Sequence, residues 1–306
     1  MSVPYLPDSE EGTSLEGNIE IKFDDLKNID FNPDTNRENK QITVSEVSDF
    51  GDECFLLRNV LSDKECQLFI DGGEKIGFEI IRGVLDDYRN CKRITIQDQV
   101  LADTLWSRIE PYIKDIYIDG DPHGVHVHGP PTVMKGTWKP VGLNNIFRLC
   151  RYLPGGHFAP HFDGHYDKSA SERSLKTLML YLNGDFNGGS TNFVDESQTL
   201  YKDAKTGVYC AEEKNILCSV KPETGLAIIF NHHRLHEGAQ LKDGMKYILR
   251  TDVMFKNTSQ NLSENYTKAV KLLQQAETLE NAGQCMEAAE LYRKAFKIAP
   301  ELENST

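Results

Sequence analysis

The chain has 306 residues, 39% of them hydrophobic, and a formal net charge of −13 at pH 7. This length allows one large domain with appendages or two domains, and the apolar fraction is sufficient for a buried core. The acidic balance argues against nucleic acid or an anionic membrane surface as a partner, because both bind clustered Lys and Arg, and no apolar run reaches the roughly 20 residues of a membrane span.

The chain begins with an acidic segment. Residues 1–40 contain ten Asp or Glu against four Lys or Arg, and such a segment cannot bury enough apolar surface to offset the entropy of ordering. We therefore predict a disordered tail over residues 1–45. The same segment lacks the features of a secretory signal, and the seven Cys show no CxxC spacing. A cytoplasmic or nuclear protein with reduced thiols, and not a secreted one, is expected.

Two helices are predicted after this tail. Residues 55–61 are typical of a buried strand, and Ser62 with Glu65 forms a capping box that marks a helix start. A second helix is predicted over residues 98–116, where apolar residues recur every four positions. The polar, basic residues 89–93 between them predict a loop.

Residues 117–142 are rich in Gly, Pro and His and predict another loop. It contains His123, His126 and His128. No carboxylate or Cys completes a ligand set there, so a surface loop near the mouth of a site is favoured over a second metal centre.

Residues 145–255 have a β pattern of short apolar runs separated by turn signals. The runs cover residues 146–153, 175–182, 225–230 and 246–255. Many short strands without intervening helices predict a sandwich, a barrel or a jelly roll.

The composition changes again after the last of these runs. A polar linker over residues 256–263 precedes two stretches with helical spacing, 265–279 and 287–299, separated by Asn281, Ala282 and Gly283. This helical hairpin resembles a single tetratricopeptide-type unit of about 34 residues, or a microtubule-trafficking-type unit. Because such units are stable only in arrays of about three or more, we expect it to dock on the β domain or on a partner protein.

A candidate metal site lies in the β region. His161 and Asp163 are two residues apart, so in an extended strand they leave the same face. One imidazole and one carboxylate, with a second His, form the facial triad of non-haem Fe(II) oxygenases. His232, His233 and His236 compete for the third place. We choose His236, because Glu and Gly follow it and the cation Lys246 comes ten residues later, and we expect the other two in a rim or loop.

Four segments of the sequence resemble the prolyl 4-hydroxylases of the 2-oxoglutarate and Fe(II)-dependent oxygenase superfamily. They are residues 62–66 (SDKEC), 152–163 (YLPGGHFAPHFD), 177–193 (TLMLYLNGDFNGGSTNF) and 222–230 (PETGLAIIF). The resemblance covers roughly residues 50–256. It implies an α+β, mainly β fold, a double-stranded β-helix (jelly roll) with flanking N-terminal helices, followed here by the C-terminal helical hairpin.

The resemblance also implies the cofactors and their residues. Fe(II) is expected on His161, Asp163 and His236, with 2-oxoglutarate and O2 as co-substrates and ascorbate as a reductant. Lys246 is expected to bind the distal carboxylate of 2-oxoglutarate, with Arg250 on the same strand face as the close alternative. Tyr181 matches a tyrosine that hydrogen-bonds 2-oxoglutarate and Tyr152 one that lines its pocket, although either could be a buried aromatic with a satisfied hydroxyl.

The sequence therefore predicts a dioxygenase domain over residues 46–257 and a hairpin over residues 262–306. The expected reaction is hydroxylation of a C–H bond, of a prolyl or other protein side chain, with succinate and CO2 as co-products. Asp163 favours hydroxylation over halogenation, since related halogenases lack this carboxylate. The alternative is a non-catalytic or zinc-binding jelly-roll protein that acts through the hairpin, which is the expected contact for any further protein partner.

Overall fold

The computed structural model describes residues 21–22, 40–48, 50–81, 83–119, 134–259, 264–281, 285–300 and 302. Most of the predicted tail lies outside the described residues, and so do the three loop histidines, His123, His126 and His128.

Strands and helices alternate first, and strands then dominate. The strands are β1 Ile21–Lys22, β2 Thr43–Glu46, β3 Cys54–Arg58, β4 Glu79–Ile80, β5 Arg89–Asn90, β6 Lys92–Gln97, β7 Ile116–Ile118, β8 Gly136–Leu143, β9 Ile146–Tyr152, β10 His157–His161, β11 Asp167–Ser169, β12 Glu172–Tyr181, β13 Asn187–Gly188, β14 Thr191–Val194, β15 Ile216–Val220, β16 Ala227–Asn231, β17 His236–Gly238, β18 Leu241–Asp243 and β19 Lys246–Asn257. The helices are α1 Asp63–Ile76, α2 Gln99–Ile109, α3 Glu264–Asn281 and α4 Cys285–Ile298.

Most strands form one large sheet in the order β1-β6-β9-β19-β12-β16-β3-β2, to which β4, β7, β8 and β11 add short pairings. A smaller sheet has the order β15-β14-β17-β10-β5. Two short segments of the predicted tail, β1 and β2, pair with β6 and β3. The two sheets, antiparallel except for the parallel pair of β1 and β6, enclose a shared apolar core. This is the double-stranded β-helix predicted from the sequence.

The long strands of the large sheet bury both faces. On β9, Phe147 and Leu149 face the helices, while Cys150 and Tyr152 face the smaller sheet. The same alternation places Lys246, Ile248 and Arg250 of β19 on the inner side of the sheet, because successive side chains of a strand leave opposite faces. The outer face therefore packs against the helices in one apolar cluster, while the inner face carries a second apolar cluster together with polar groups.

Helices α1 and α2 cover the outer face. The capping box is present: Ser62 caps α1, and its backbone N–H donates to Glu65. Helix α2 begins after Asp98, which accepts from the backbone of Leu101. It ends at Ile109, earlier than predicted, because Pro111 has no N–H for an α-helical bond and residues 110–112 form a 3₁₀ turn instead.

Two predicted loops are wrong in part. Within residues 89–93, Arg89 and Asn90 form β5, and Lys92 and Arg93 begin β6. The loop predicted over residues 117–142 contains parts of β7 and β8. These segments become strands by pairing with β10, β9 and β19. Pairing partners so distant in sequence leave no local signal.

The C-terminal hairpin forms as predicted in the described residues. Helices α3 and α4 share a small apolar cluster that contains Ala269, Val270 and Ala295, and Ala170, in the turn between β11 and β12, packs against it. In the described part of the chain, no helix is both long and apolar enough to cross a membrane.

Candidate active site

Three buried residues on the smaller sheet form the centre of the site. His161 ends β10 and His236 begins β17, and these antiparallel strands pair the two residues directly. Asp163 follows two residues beyond His161. One ligand atom from each of the three lies within 4.8 Å of the others. Strand pairing thus brings together two histidines that are far apart in the chain.

Hydrogen bonds orient both imidazole rings. Nδ1 of His161 lies 2.8 Å from the carbonyl oxygen of Ala159, and Nδ1 of His236 lies 2.8 Å from that of Arg234. A carbonyl oxygen only accepts, so Nδ1 carries a hydrogen in each ring, and Nε2 is the nitrogen that can ligate a metal. Burial lowers the pKa of His236 to about 4. Its ring is therefore neutral at neutral pH, as a metal ligand must be.

Asp163 supplies the negative charge of the site. Its side chain is buried, with Oδ1 3.5 Å from Nε2 of His161 and Oδ2 3.7 Å from Nε2 of His236. Burial alone raises the pKa of Asp163, but Arg250, whose Nη2 lies 3.1 Å from Oδ1, and the two imidazoles hold it well below its usual range. The carboxylate is therefore ionised.

These atoms fit a metal cation. Oδ1 of Asp163 is buried, and the guanidinium of Arg250, although 3.1 Å away, makes no hydrogen bond of good geometry to it. This oxygen therefore keeps lone pairs that a metal cation can use. Two imidazole nitrogens and one carboxylate are the donor set of non-haem Fe(II) sites. The residues present therefore match Fe(II).

A pocket runs from this cluster between the two sheets. Beyond the three candidate ligands, its walls include Tyr152, Met179, Ile248 and Lys246. Lys246 is 3% exposed, and its Nζ donates to the carbonyl oxygen of Gly189 at 2.6 Å. Burial lowers the pKa of Lys246 to about 8. A buried ammonium group thus lies in the same pocket as the candidate ligands.

Aromatic and hydroxyl groups surround this lysine. Its Nζ lies 5.2 Å from the ring centroid of Tyr152 and 5.8 Å from that of Tyr181. Tyr181 is fully buried, and its hydroxyl donates to Oγ1 of Thr191 at 2.7 Å. Thr191 rather than Tyr181 lines the pocket. Gly189, at φ +66°, lets the chain pass close by, since an added Cβ would lie 3.2 Å from Cδ of Lys246.

Comparison with known proteins shows which family the pocket-forming part of the chain matches. Residues 147–251 match the model of the 2OG-Fe(II) oxygenase superfamily, and this stretch contains all three candidate ligands and Lys246. This chain carries a 2OG-Fe(II) oxygenase domain. The protein is a 2-oxoglutarate-dependent dioxygenase.

Its relatives include prolyl 4-hydroxylases. A putative prolyl 4-hydroxylase of Acanthamoeba polyphaga mimivirus is 21% identical over 226 residues, which are 67% of this chain and 76% of the relative. A probable prolyl 4-hydroxylase 6 of Arabidopsis thaliana is 22% identical over 212 residues, 68% of this chain and 65% of the relative. Among solved structures, the viral collagen prolyl hydroxylase of Paramecium Bursaria Chlorella virus-1, in its 2OG complex, is 20% identical, with a TM-score of 0.40, covering 67% of this chain and 97% of that one.

The structure changes the interpretation of His232. We expected this residue in a rim or loop. It does lie in the turn after β16, but it is 1% exposed and lies behind Asp163. Its carbonyl accepts from the backbone N–H of Asp163 at 3.2 Å. His233 is partly exposed and stacks on Phe162, with ring centroids 4.9 Å apart. The sequence places both in one short run between β16 and His236, and only the packing separates them.

Two cations of the oxygenase pocket were not assigned from the sequence. Arg148 faces Arg250 across β9 and β19 and lines the pocket. The guanidinium of Arg89 lies 4.1 Å from the ring centroid of Phe158, which stacks on His161 at 3.5 Å. Arg148 has a usable signal, because it precedes Tyr152 by four residues on one strand face. Arg89 has none, since its strand is only two residues long.

Glu237 was also missed. It follows His236, is buried, and lines the pocket. Its carboxylate accepts from Nδ2 of Asn192 and from the backbone N–H of Ala211, both at 2.7 Å. Burial raises the pKa of Glu237. These bonds tie the long segment between β14 and β15 to the strand that carries the distal histidine.

Proposed function

We propose that this dioxygenase binds Fe(II) through His161, Asp163 and His236 and holds the distal carboxylate of 2-oxoglutarate on Lys246. Its reaction is hydroxylation of a C–H bond of a protein side chain, and prolyl residues are the first class of substrate to test. The observation that carries the proposal is the pairing of a buried His-Asp-His cluster with a buried ammonium group in one pocket.

The position of Arg250 supports Lys246 as the anchor. Both residues point inward from β19, four residues apart, which corresponds to about 13 Å along a strand. Arg250 contacts Asp163 and so lies at the candidate metal ligands. A five-carbon diacid held at the metal by one end needs its second cation away from the metal. Lys246 meets that requirement and Arg250 does not.

The surroundings of Lys246 suit a carboxylate. An ammonium group has three N–H donors, and only one is used on Gly189. Because Tyr181 donates to Oγ1 of Thr191, the hydroxyl proton of Thr191 remains for an acceptor in the pocket. We propose that Thr191 donates this proton to 2-oxoglutarate, that Tyr181 orients Thr191, and that Tyr152 forms the adjacent wall.

Fe(II), with 2-oxoglutarate and O2, supplies the oxidising power for C–H hydroxylation, and the co-substrate leaves as succinate and CO2. The chain supplies binding, orientation and a dry pocket. Phe158, Met179, Phe230 and Ile248 line the pocket with apolar surface, which excludes water and strengthens the charge contacts. We propose ascorbate as the external reductant, by analogy with prolyl 4-hydroxylases.

The substrate class rests on the relatives. Two of them are described as putative or probable prolyl 4-hydroxylases, and the chain shares about a fifth of its residues with each in the matched regions. The test is to incubate the full chain with Fe(II), 2-oxoglutarate and a library of prolyl peptides, and then to measure succinate and a mass gain of one oxygen atom. The matched control library replaces each Pro by Ala.

Prolyl hydroxylation requires the mass gain and the succinate to depend on the prolyl library. Asp163→Ala is the matched enzyme control and must abolish both signals. Equal succinate release with the two libraries, without peptide oxidation, would overturn the prolyl assignment. Absence of succinate release with every substrate, by protein that has bound Fe(II), would overturn the hydroxylase itself.

The division of the chain is also a proposal. We propose an oxygenase domain over residues 46–257 and a hairpin over residues 262–306 that docks on it at Ala170, since this residue packs against the hairpin cluster. Six cysteines are free thiols, which supports a reducing, cytoplasmic or nuclear, location. They are Cys54, Cys66, Cys91, Cys150, Cys210 and Cys218.

A further inference from the structure

A buried chain of hydrogen bonds lies behind Asp163. Oγ1 of Thr177 lies 2.5 Å from Oδ2 of Asp163 and 3.0 Å from Nδ1 of His232. Nε2 of His232 lies 2.9 Å from Oγ of Ser174, which accepts from the backbone N–H of Tyr166 at 2.8 Å. The three side chains behind Asp163 are at most 1% exposed. Of the residues in this chain of hydrogen bonds, Asp163 alone belongs to the candidate metal cluster.

As the metal ligand proposed above, Asp163 is a carboxylate, and this gives the chain of hydrogen bonds one direction. Asp163 can only accept, so the single hydroxyl proton of Thr177 is donated to Oδ2. Oγ1 of Thr177 must then accept from Nδ1–H of His232. The hydroxyl of Ser174, whose oxygen accepts from the backbone N–H of Tyr166, then donates to Nε2 of His232. In this arrangement Oγ1 of Thr177, both ring nitrogens of His232 and Oγ of Ser174 each have a hydrogen-bond partner.

His232 also holds the backbone next to the ligands. Its carbonyl accepts from the N–H of Asp163 at 3.2 Å, and its own N–H donates to the carbonyl of Leu175 at 3.2 Å. It comes directly after β16 and opens the turn that leads to His236. One residue therefore contacts Asp163 through the main chain and through Thr177.

We propose that His232 is a positioning residue for Asp163, acting through Thr177. The Nδ1–H donor of its ring holds the Thr177 hydroxyl toward Oδ2. Oδ1, to which the nearby guanidinium of Arg250 makes no hydrogen bond of good geometry, then keeps a lone pair for the metal ion. This inference rests on the proposed assignment of Asp163 as a metal ligand. Groups behind metal ligands typically change metal affinity by about 10- to 100-fold when removed.

The test compares two amides at position 232. The Nδ2 of Asn occupies a place close to Nδ1 of His, so H232N retains a donor for Thr177. The longer H232Q places its amide closer to Nε2, on the side of Ser174. We expect H232Q and H232L to weaken anaerobic Fe(II) binding by about 10- to 100-fold, and H232N to restore most of the loss.

Metal affinity is measured by anaerobic titration of the full chain, and Co(II) gives an electronic spectrum that reports the ligand geometry independently of turnover. His233→Asn is the matched control and leaves affinity and spectrum unchanged. Melting temperatures of the metal-free variants separate a positioning effect from a loss of folding. If H232L fails to fold, Thr177→Val and Thr177→Ser replace it, and only Val is expected to weaken binding.

Wild-type affinity in a folded H232L would overturn the inference, and so would equal losses in H232N and H232Q. Failure of the proposed function gives a different result. If Asp163 is not a metal ligand, the wild-type chain itself binds Fe(II) no better than D163A does.

Discussion

Replacing Lys246 by Met tests the anchor for 2-oxoglutarate. The substitution keeps most of the side-chain volume but removes the charge and the donors. Lys246 is 3% exposed, so the distal carboxylate would remain buried without a cation. Removing one partner of a buried charge pair costs about 2–5 kcal/mol.

The expected magnitude follows from the contacts of this lysine. Two of its three donors are free of the bond to Gly189 and can serve the carboxylate, and hydrogen bonds to charged groups contribute about 1.5–3 kcal/mol each. Taking about 3–4 kcal/mol, at tenfold per 1.4 kcal/mol, K246M raises the KM for 2-oxoglutarate about 100- to 700-fold. The kcat falls much less if the loss is in binding alone.

The assay is succinate release as a function of 2-oxoglutarate concentration. Lys256→Met is the matched control, because it lies on the same strand but is exposed, and its KM stays at the wild-type value. A change in KM of less than about tenfold in K246M, together with a large rise in R250M, would refute the reasoning and make Arg250 the anchor.

Three further predictions concern charge. Burial lowers the pKa of Lys246 to about 8, so its charge is lost as pH rises through that value. The KM for 2-oxoglutarate therefore increases above about pH 8. K246R, assayed over the same pH range, removes this increase. His236→Ala abolishes Fe(II) binding in an anaerobic titration while the melting temperature of the metal-free chain is kept, and retained binding would contradict the ligand assignment. Arg108→Leu lowers the free energy of unfolding, measured in urea at neutral pH, by about 3–5 kcal/mol. The reason is that Glu65, which is buried and 2.7 Å from Arg108, loses its partner. A loss below about 1 kcal/mol, the value of an exposed pair, would contradict the burial argument.

That buried pair also has a pH signature. Burial raises the pKa of Glu65, but the hydrogen bonds from Arg108 and from the backbone of Ser62 bring it below its usual value. A carboxyl with a lowered pKa in the folded state stabilises the protein above its unfolded pKa, and this contribution is lost as pH falls through the folded value. We therefore expect the wild-type chain to lose stability on the acid side and R108L to show less of this loss.

Local signals were enough for much of the fold. The capping box at Ser62 predicts the start of α1, and short apolar runs bounded by turn signals predict the strands that carry Tyr152 and Lys246. Helical spacing predicts the two helices of the C-terminal hairpin. Each of these features depends on residues within a few positions of one another, and such patterns are visible in a single sequence.

The pairing of the sheets needed the structure. Residues 89–93 were expected in a loop, and they form strands because β10 and β9 accept them as partners. Buried Arg89 and Arg148 face the pocket for the same reason. A basic residue in sequence is more often solvated, and only its place on the inner face makes it part of a site.

The sequence by itself determined the chemistry: which residues can ligate a metal, and that a cation follows the distal histidine at a fixed distance. Only the tertiary structure decided among residues of equal type. His236 faces Asp163 because β17 pairs with β10. His232 lies behind Asp163, with Thr177 between them. Of the two cations on β19, Arg250 is the one that contacts Asp163. The physical reason is that residue type sets what an atom can bind, but strand register between distant segments sets which atoms meet.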